Sequence, residues 1–119
     1  MLRGIRGATT VVADTADEIA DATRALLEAI VARNELDVAD IAAATFSTTG
    51  DVRAAFPAAT ARALGWTRVP MDCYQQMDVP HSLPRCIRVL VLWNTDKRQD
   101  EIQHVYLGEA KQLRPDLIQ

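Results

Sequence analysis

Little in this chain points to metal, redox or disulfide chemistry. Its only cysteines, Cys73 and Cys86, stand thirteen positions apart with no second pair beside them. Neither a zinc ribbon nor a disulfide framework is supported, and both are expected as reduced thiols. The two histidines, His81 and His104, have no HxH or HExxH spacing, which fits loop or surface positions better than ligation. No metal and no cofactor are expected. The longest apolar run, "VLVLW" from Val89 to Trp93, is far too short to cross a bilayer, and the opening "MLRGIRGATTVVADTADEIA" lacks the apolar core of a signal peptide. The expected location is the cytoplasm, with no membrane partner. Positive charge is also short, 13 basic against 16 acidic residues. Nucleic-acid binding needs a clustered basic surface, so that class is set aside. Dinucleotide and P-loop fingerprints, internal repeats and low-complexity tracts are missing too.

What is present is an ordinary globular balance, 49% apolar and 24% charged, over 119 residues. A chain of this length forms one domain, here 1–119, burying roughly two-thirds of its unfolded surface. "LRGIRGATTVV" is β-branched and broken by two glycines, which suits a first strand with close backbone approach at Gly4 and Gly7. Thr15 and Glu18 form a capping box, and Ile19, Ala22, Leu26, Leu27, Ile30 and Val31 recur at three- and four-residue spacing. The spacing predicts an amphipathic helix over 15–33, stopped at Asn34. Ile41 to Thr48 is a candidate strand. Asp51 is placed to cap a second helix, "VRAAFPAATARALG", ended by Gly65. "WTRVPMDC" reads as a short strand before a loop with Pro80 and Pro84, "RCIRVLVLWNT" as the strongest strand, "DKRQDEIQ" as a polar or helical turn, and "HVYLGEAKQL" as a closing strand. The order β-α-β-α-β-β-β gives an α/β fold, a mixed sheet with two main helices to one side.

Chemistry is most visible in the arginines. Arg88 interrupts the core strand "CIRVLVLW", and Arg6 is similarly placed in "GIRGATT". A cation inside an apolar strand costs several kcal/mol unless it pairs or faces a polar cleft. Taken alone, each has a structural reading as well as a binding one.

Five short motifs, "RGIRGATTV", "AAFPA" with Arg62, "QMDV" followed by "CIRV", "HVYL", and "LRPDL", occur in an order and at a spacing that resemble the AroH class of monofunctional chorismate mutases. The resemblance runs nearly end to end. It implies a homotrimer forming a pseudo-α/β barrel, with active sites at subunit interfaces. It also implies the cofactor-free Claisen rearrangement of chorismate to prephenate, a step toward phenylalanine and tyrosine. Arg6, Cys73, Arg88 and Tyr106 match active-site positions on one face; Phe56 and Arg62 match positions reaching the pocket from a neighbour; Leu113 and Arg114 match a segment that closes over the ligand. A unimolecular rearrangement requires a held conformer and stabilised charge separation rather than a nucleophile or base, and arginines suit both tasks. Arg6 would bind a carboxylate and Arg88 would face the breaking ether oxygen. Gln76 stands where the family has glutamate, Asp72 where it often has threonine, and Ala59 where it has lysine. Asp72 or the Gln76 carbonyl could supply the lost acceptor. The alternatives are an enzyme for another enolpyruvyl cyclohexadiene, of isochorismate or aminochorismate type, or a non-catalytic trimer that binds such a ligand.

Overall fold

The computed structural model describes residues 1–113. Its elements run β1 (Leu2–Thr10), α1 (Ala16–Asn34), β2 (Ile41–Thr48), α2 (Pro57–Ala63), β3 (Met71–Gln75), β4 (Cys86–Asn94) and β5 (Val105–Tyr106). Short 3-10 helices occupy Val38–Asp40, Gln99–Glu101 and Gly108–Gln112. The strands form one sheet in the order β3-β2-β4-β1-β5. β4 runs antiparallel to both β1 and β2, whereas β3 is parallel to β2 and β5 parallel to β1. The β-α-β-α-β-β-β order read from the sequence is thus the observed one.

Strand alternation divides the sheet into two unlike faces. Ile5 of β1, Ala44 and Phe46 of β2 and Val89, Val91 and Trp93 of β4 join Leu26, Leu27 and Ile30 of α1 and Ala58 and Ala61 of α2 in the main core. Gly7 belongs to this helix-covered side, where a Cβ would stand 2.8 Å from Ile30 Cδ1 and 3.2 Å from Leu26 Cδ1. Glycine lets α1 approach the strand. The opposite face carries Gly4, Arg6 and Ala8, Thr45 and Ser47, and Arg88, Leu90 and Leu92 in matching register. No helix among the described elements covers it, and Leu2 and Leu90 are exposed there.

Helix α1 has its expected cap: the Thr15 hydroxyl accepts the Glu18 N–H at 3.1 Å. Asn34 is its last residue, and Glu35 takes the left-handed conformation that ends it. The buried Asn34 side chain donates to the Ile30 and Gln103 carbonyls and accepts the Gln103 N–H.

Four expected boundaries move. The first strand ends at Thr10, not beyond. Helix α2 begins at Pro57 rather than after Asp51, because proline suits the first helical position while the residue before it avoids helical backbone; Phe56 is extended. Asp51 caps no helix; its carboxylate holds the Thr49 hydroxyl and the Arg85 N–H. The third strand covers Met71–Gln75, with Trp66 buried in the turn before it. The closing strand shrinks to Val105–Tyr106, because Gly108 (φ +57°) turns the chain where a Cβ would be 2.8 Å from Thr10 Oγ1. Among the described residues no helix is long and apolar enough to cross a membrane.

Candidate active site

The open face has a concave region where β4, β1 and β5 meet. Arg88 lies between Ala8 on β1 and Ser47 on β2, Arg6 lies opposite Leu90, and Tyr106 lies opposite Ala8. Small residues form the floor, and long side chains rise around them. The result is a cleft of about 320 Å³ lined by Arg6, Arg88, Tyr106 and Leu113 over Ala8, Thr45 and Ser47.

Its electrostatics are one-sided. Among the described residues the cleft lining holds two arginines and no carboxylate, histidine or thiol. Arg88 is half-buried, yet its Nε has no hydrogen-bond acceptor among the described residues, and neither has the buried Tyr106 hydroxyl. Unpaired buried donors of this kind cost about 1–3 kcal/mol each. Ion pairs among the described residues involve only Arg98, with Asp100 and Glu101. Among the described residues, Arg88 therefore presents its charge without an anionic partner.

Cys86 lies behind it, two residues along β4 and on the same face. The Arg88 guanidinium and the Gln76 amide stand beside its buried thiol. Burial pushes the thiol's pKa up, and those two donors pull it back only in part. The thiol stays protonated at neutral pH. The Gln76 Nε2 also donates to the Cys86 carbonyl at 3.4 Å, and the Gln76 backbone N–H bonds to Thr48. Gln76 is thereby fixed beside Arg88 through Cys86, although its side chain does not line the cleft.

Of the residues singled out in the sequence, Arg6, Arg88, Tyr106 and Leu113 come together. Cys73 does not join them: it pairs with Phe46 in the β2–β3 register and packs against the main core, on the helix-covered side. The one-face expectation is corrected there, because residue 73 has the parity of Phe46 and Val89, not of Arg88. Cys73 instead shares a second recess of about 380 Å³ with Phe56, Val52 and Tyr74. Phe56 is exposed, as is Arg62 on α2. Asp72 is on the open face of β3, where its carboxylate accepts the Tyr74 hydroxyl at 3.2 Å and raises that phenol's pKa; it is not part of the cleft lining. Ala59 is exposed on α2. Arg114 lies outside the described residues.

Sequence reading missed Cys86, Ser47 and Thr45 as neighbours of Arg88. The signal for Cys86 was available, since residues two apart in a strand share a face. His104, expected as a loop or surface residue, accepts the Arg6 backbone N–H on Nδ1 at 2.9 Å; nothing in its spacing marks that contact. A larger recess, about 690 Å³, opens between residues 49–53 and the 78–84 loop, but three carboxylates (Asp14, Asp51 and Asp78) against Arg53 suit it poorly to an anion.

An uncovered sheet face bearing a cationic cleft, with unpaired donors and no carboxylate, histidine or thiol among the described residues of its lining, defines an α/β protein suited to holding a small anion. Comparison with known proteins makes that class specific. The family model for chorismate mutase type I matches residues 2–117, and the chain belongs to that family. Chorismate mutase AroH of Thermus thermophilus is 52% identical over 118 residues, covering 98% of this chain and 97% of that protein. Chorismate mutase AroH of Bacillus subtilis (strain 168) is 49% identical, covering 98% and 93%. The solved chorismate mutase from Clostridium thermocellum, Cth-682, superposes with a TM-score of 0.90 at 49% identity, covering 92% of this chain and 97% of that one.

Proposed function

We propose that the protein is a chorismate mutase, an isomerase that converts chorismate to prephenate in the cytoplasm for aromatic amino acid biosynthesis. The observation that carries the reading is the Arg6–Arg88–Tyr106 cleft, whose buried Arg88 Nε and Tyr106 hydroxyl lack acceptors among the described residues. Chorismate is a dicarboxylate that rearranges without a co-reactant. Arg6 binds one carboxylate, and the Tyr106 hydroxyl supplies a further donor. Arg88 faces the ether oxygen and stabilises the negative charge that grows as the C–O bond breaks. The carbon–carbon bond forms in the same step, so no proton moves and nothing leaves.

The active form in this reading is a homotrimer with three interface sites. Two observations support it: the open sheet face exposes Leu2 and Leu90 with no helix among the described residues to cover them, and Phe56 and Cys73 line a recess separate from the Arg88 cleft. Across an interface, one subunit's Phe56, Cys73 and Arg62 would meet a neighbour's arginines. Light scattering should give three times the chain mass; a monomer at assay concentration would remove the shared site.

Gln76 favours a second reading, since an amide stands at the family's glutamate position. A related enolpyruvyl cyclohexadiene would then be the substrate. Incubation with chorismate and identification of the product separates the readings. Prephenate supports the mutase, and unchanged chorismate beside consumption of an isomeric or amino analogue supports the second. No turnover of any of them leaves a binding trimer.

A further inference from the structure

We propose that His104 is a positioning residue for the cleft: its unprotonated Nδ1 holds the Arg6 backbone and seats the segment that carries Tyr106. The β1–β5 ladder has only two rungs, Gly7 with Val105 and Ala8 with Tyr106, continued by the Leu107 N–H on the Ala8 carbonyl at 2.9 Å. Strand residues two apart send their backbone polar groups to the same edge, so the Arg6 N–H points toward β5 as those of Ala8 do. At that position the acceptor is the His104 ring nitrogen, 2.9 Å away, in place of a backbone carbonyl.

That one bond ties two sides of the cleft. Arg6 and Tyr106 both line it, and His104 stands two residues before Tyr106 while gripping the amide of Arg6. The preceding residue, Gln103, is clamped by both polar atoms of buried Asn34 at 2.9 and 2.8 Å. Residues 103–107 thus form a strap fixed to α1 at one end and to β1 along the rest. His104 is the strap's side-chain link to the strand that bears Arg6. A backbone N–H can only donate, so Nδ1 carries no proton and the neutral ring holds its proton on Nε2. Arg6 is a long, exposed side chain, and its reach depends on where its Cα is held.

His104→Asn keeps an acceptor near the Nδ1 position, and His104→Leu removes it at similar bulk. One arm of the test rests on the proposed activity. Because Arg6 holds a carboxylate in ground and transition states alike, His104→Leu should raise KM for chorismate by about five- to tenfold with kcat within about twofold, the effect of one lost hydrogen bond. His104→Asn should return KM to within about threefold of the parent. Equal impairment of both variants at unchanged melting temperature, or an unchanged KM in His104→Leu, would overturn the assignment. The second arm needs no activity: nitrogen-15 NMR of the folded parent should show the Nε2-protonated tautomer, and the Arg6 amide should exchange faster in His104→Leu than in His104→Asn. A protonated Nδ1, or equal exchange in the two variants, would overturn it. If the parent does not turn over chorismate while this arm holds, the activity is wrong and the positioning role stands.

Discussion

Replacing Arg88 by methionine should stabilise the fold while disabling the site. Arg88 is half-buried on β4 between Ala8 and Ser47, and among the described residues it has no carboxylate partner and its Nε no acceptor. Relief of one orphaned donor is worth about 1–3 kcal/mol, and losing the guanidinium beside the Cys86 thiol offsets part of that. The net gain is about 1 kcal/mol. Unfolding entropy of about 2.1 cal/mol/K per residue gives roughly 0.25 kcal/mol/K for a chain of 119 residues. The midpoint should therefore rise by about 4 °C, read by calorimetry on the intact oligomer. Turnover should fall by about 10² to 10³, the usual cost of removing one preorganised donor from developing charge. KM should change far less, since the contact strengthens as the ether bond breaks. A methionine variant that melts lower would mean Arg88 is paired across a subunit interface. Turnover within about tenfold of the parent would mean that another group carries the charge.

Gln76→Glu should raise kcat on chorismate about tenfold, since a carboxylate accepts a hydrogen bond about 1 kcal/mol more strongly than an amide. It also gives up the weak bond to the Cys86 carbonyl. If kcat falls and Asp72→Thr in the same chain restores it, Asp72 is the working acceptor. Gly7→Ala should destabilise by about 1–3 kcal/mol in a urea titration, because the added methyl meets Ile30 and Leu26 at 2.8 and 3.2 Å; an unchanged midpoint would show that α1 can retreat. For Asp51, burial alone would raise the pKa, but the Thr49 hydroxyl and the Arg85 N–H outweigh it and hold the carboxylate below its usual value. The stabilisation is complete above the unfolded pKa near 4 and lost as pH falls through the lower folded value. Parent and Asp51→Asn melting curves should converge at acid pH and separate above it; parallel curves at every pH would remove the linkage.

Helix α1 was legible because three independent signals agreed: the Thr15 cap, the three-and-four spacing of Ile19 to Ile30, and Asn34 at the end. Strand β4 was legible because a continuous apolar run bounded by turns has few other readings. β2 was a weaker reading for a physical reason: its ladder shifts register between Ile41 and Ala43, so Ile41, Ala44 and Phe46 all face the core across an extra residue. A bulge breaks the period that a sequence reader counts. The pair of arginines stood out because cations are costly in apolar strands. Which residues join them was less visible, as it depends on strand parity across three ladders. Cys73 failed on parity, and His104 was hidden because a side chain replacing a backbone acceptor leaves no pattern along the chain.

The two-faced sheet also limits how the gene can vary in length. β4 pairs without a bulge along its full run against β1, from Cys86 opposite Thr10 to Asn94 opposite Leu2. Deleting or inserting one residue within it would exchange the faces of everything beyond. Arg88 would enter the packed layer under the helices, and Val89 would stand in the cleft. β2 already contains one extra residue near its start and could lose it without moving Ser47; the turn between Gln76 and Arg85, both held by hydrogen bonds, could change length. Members of this family should therefore differ in β4 by substitution alone, and carry their insertions and deletions in that turn.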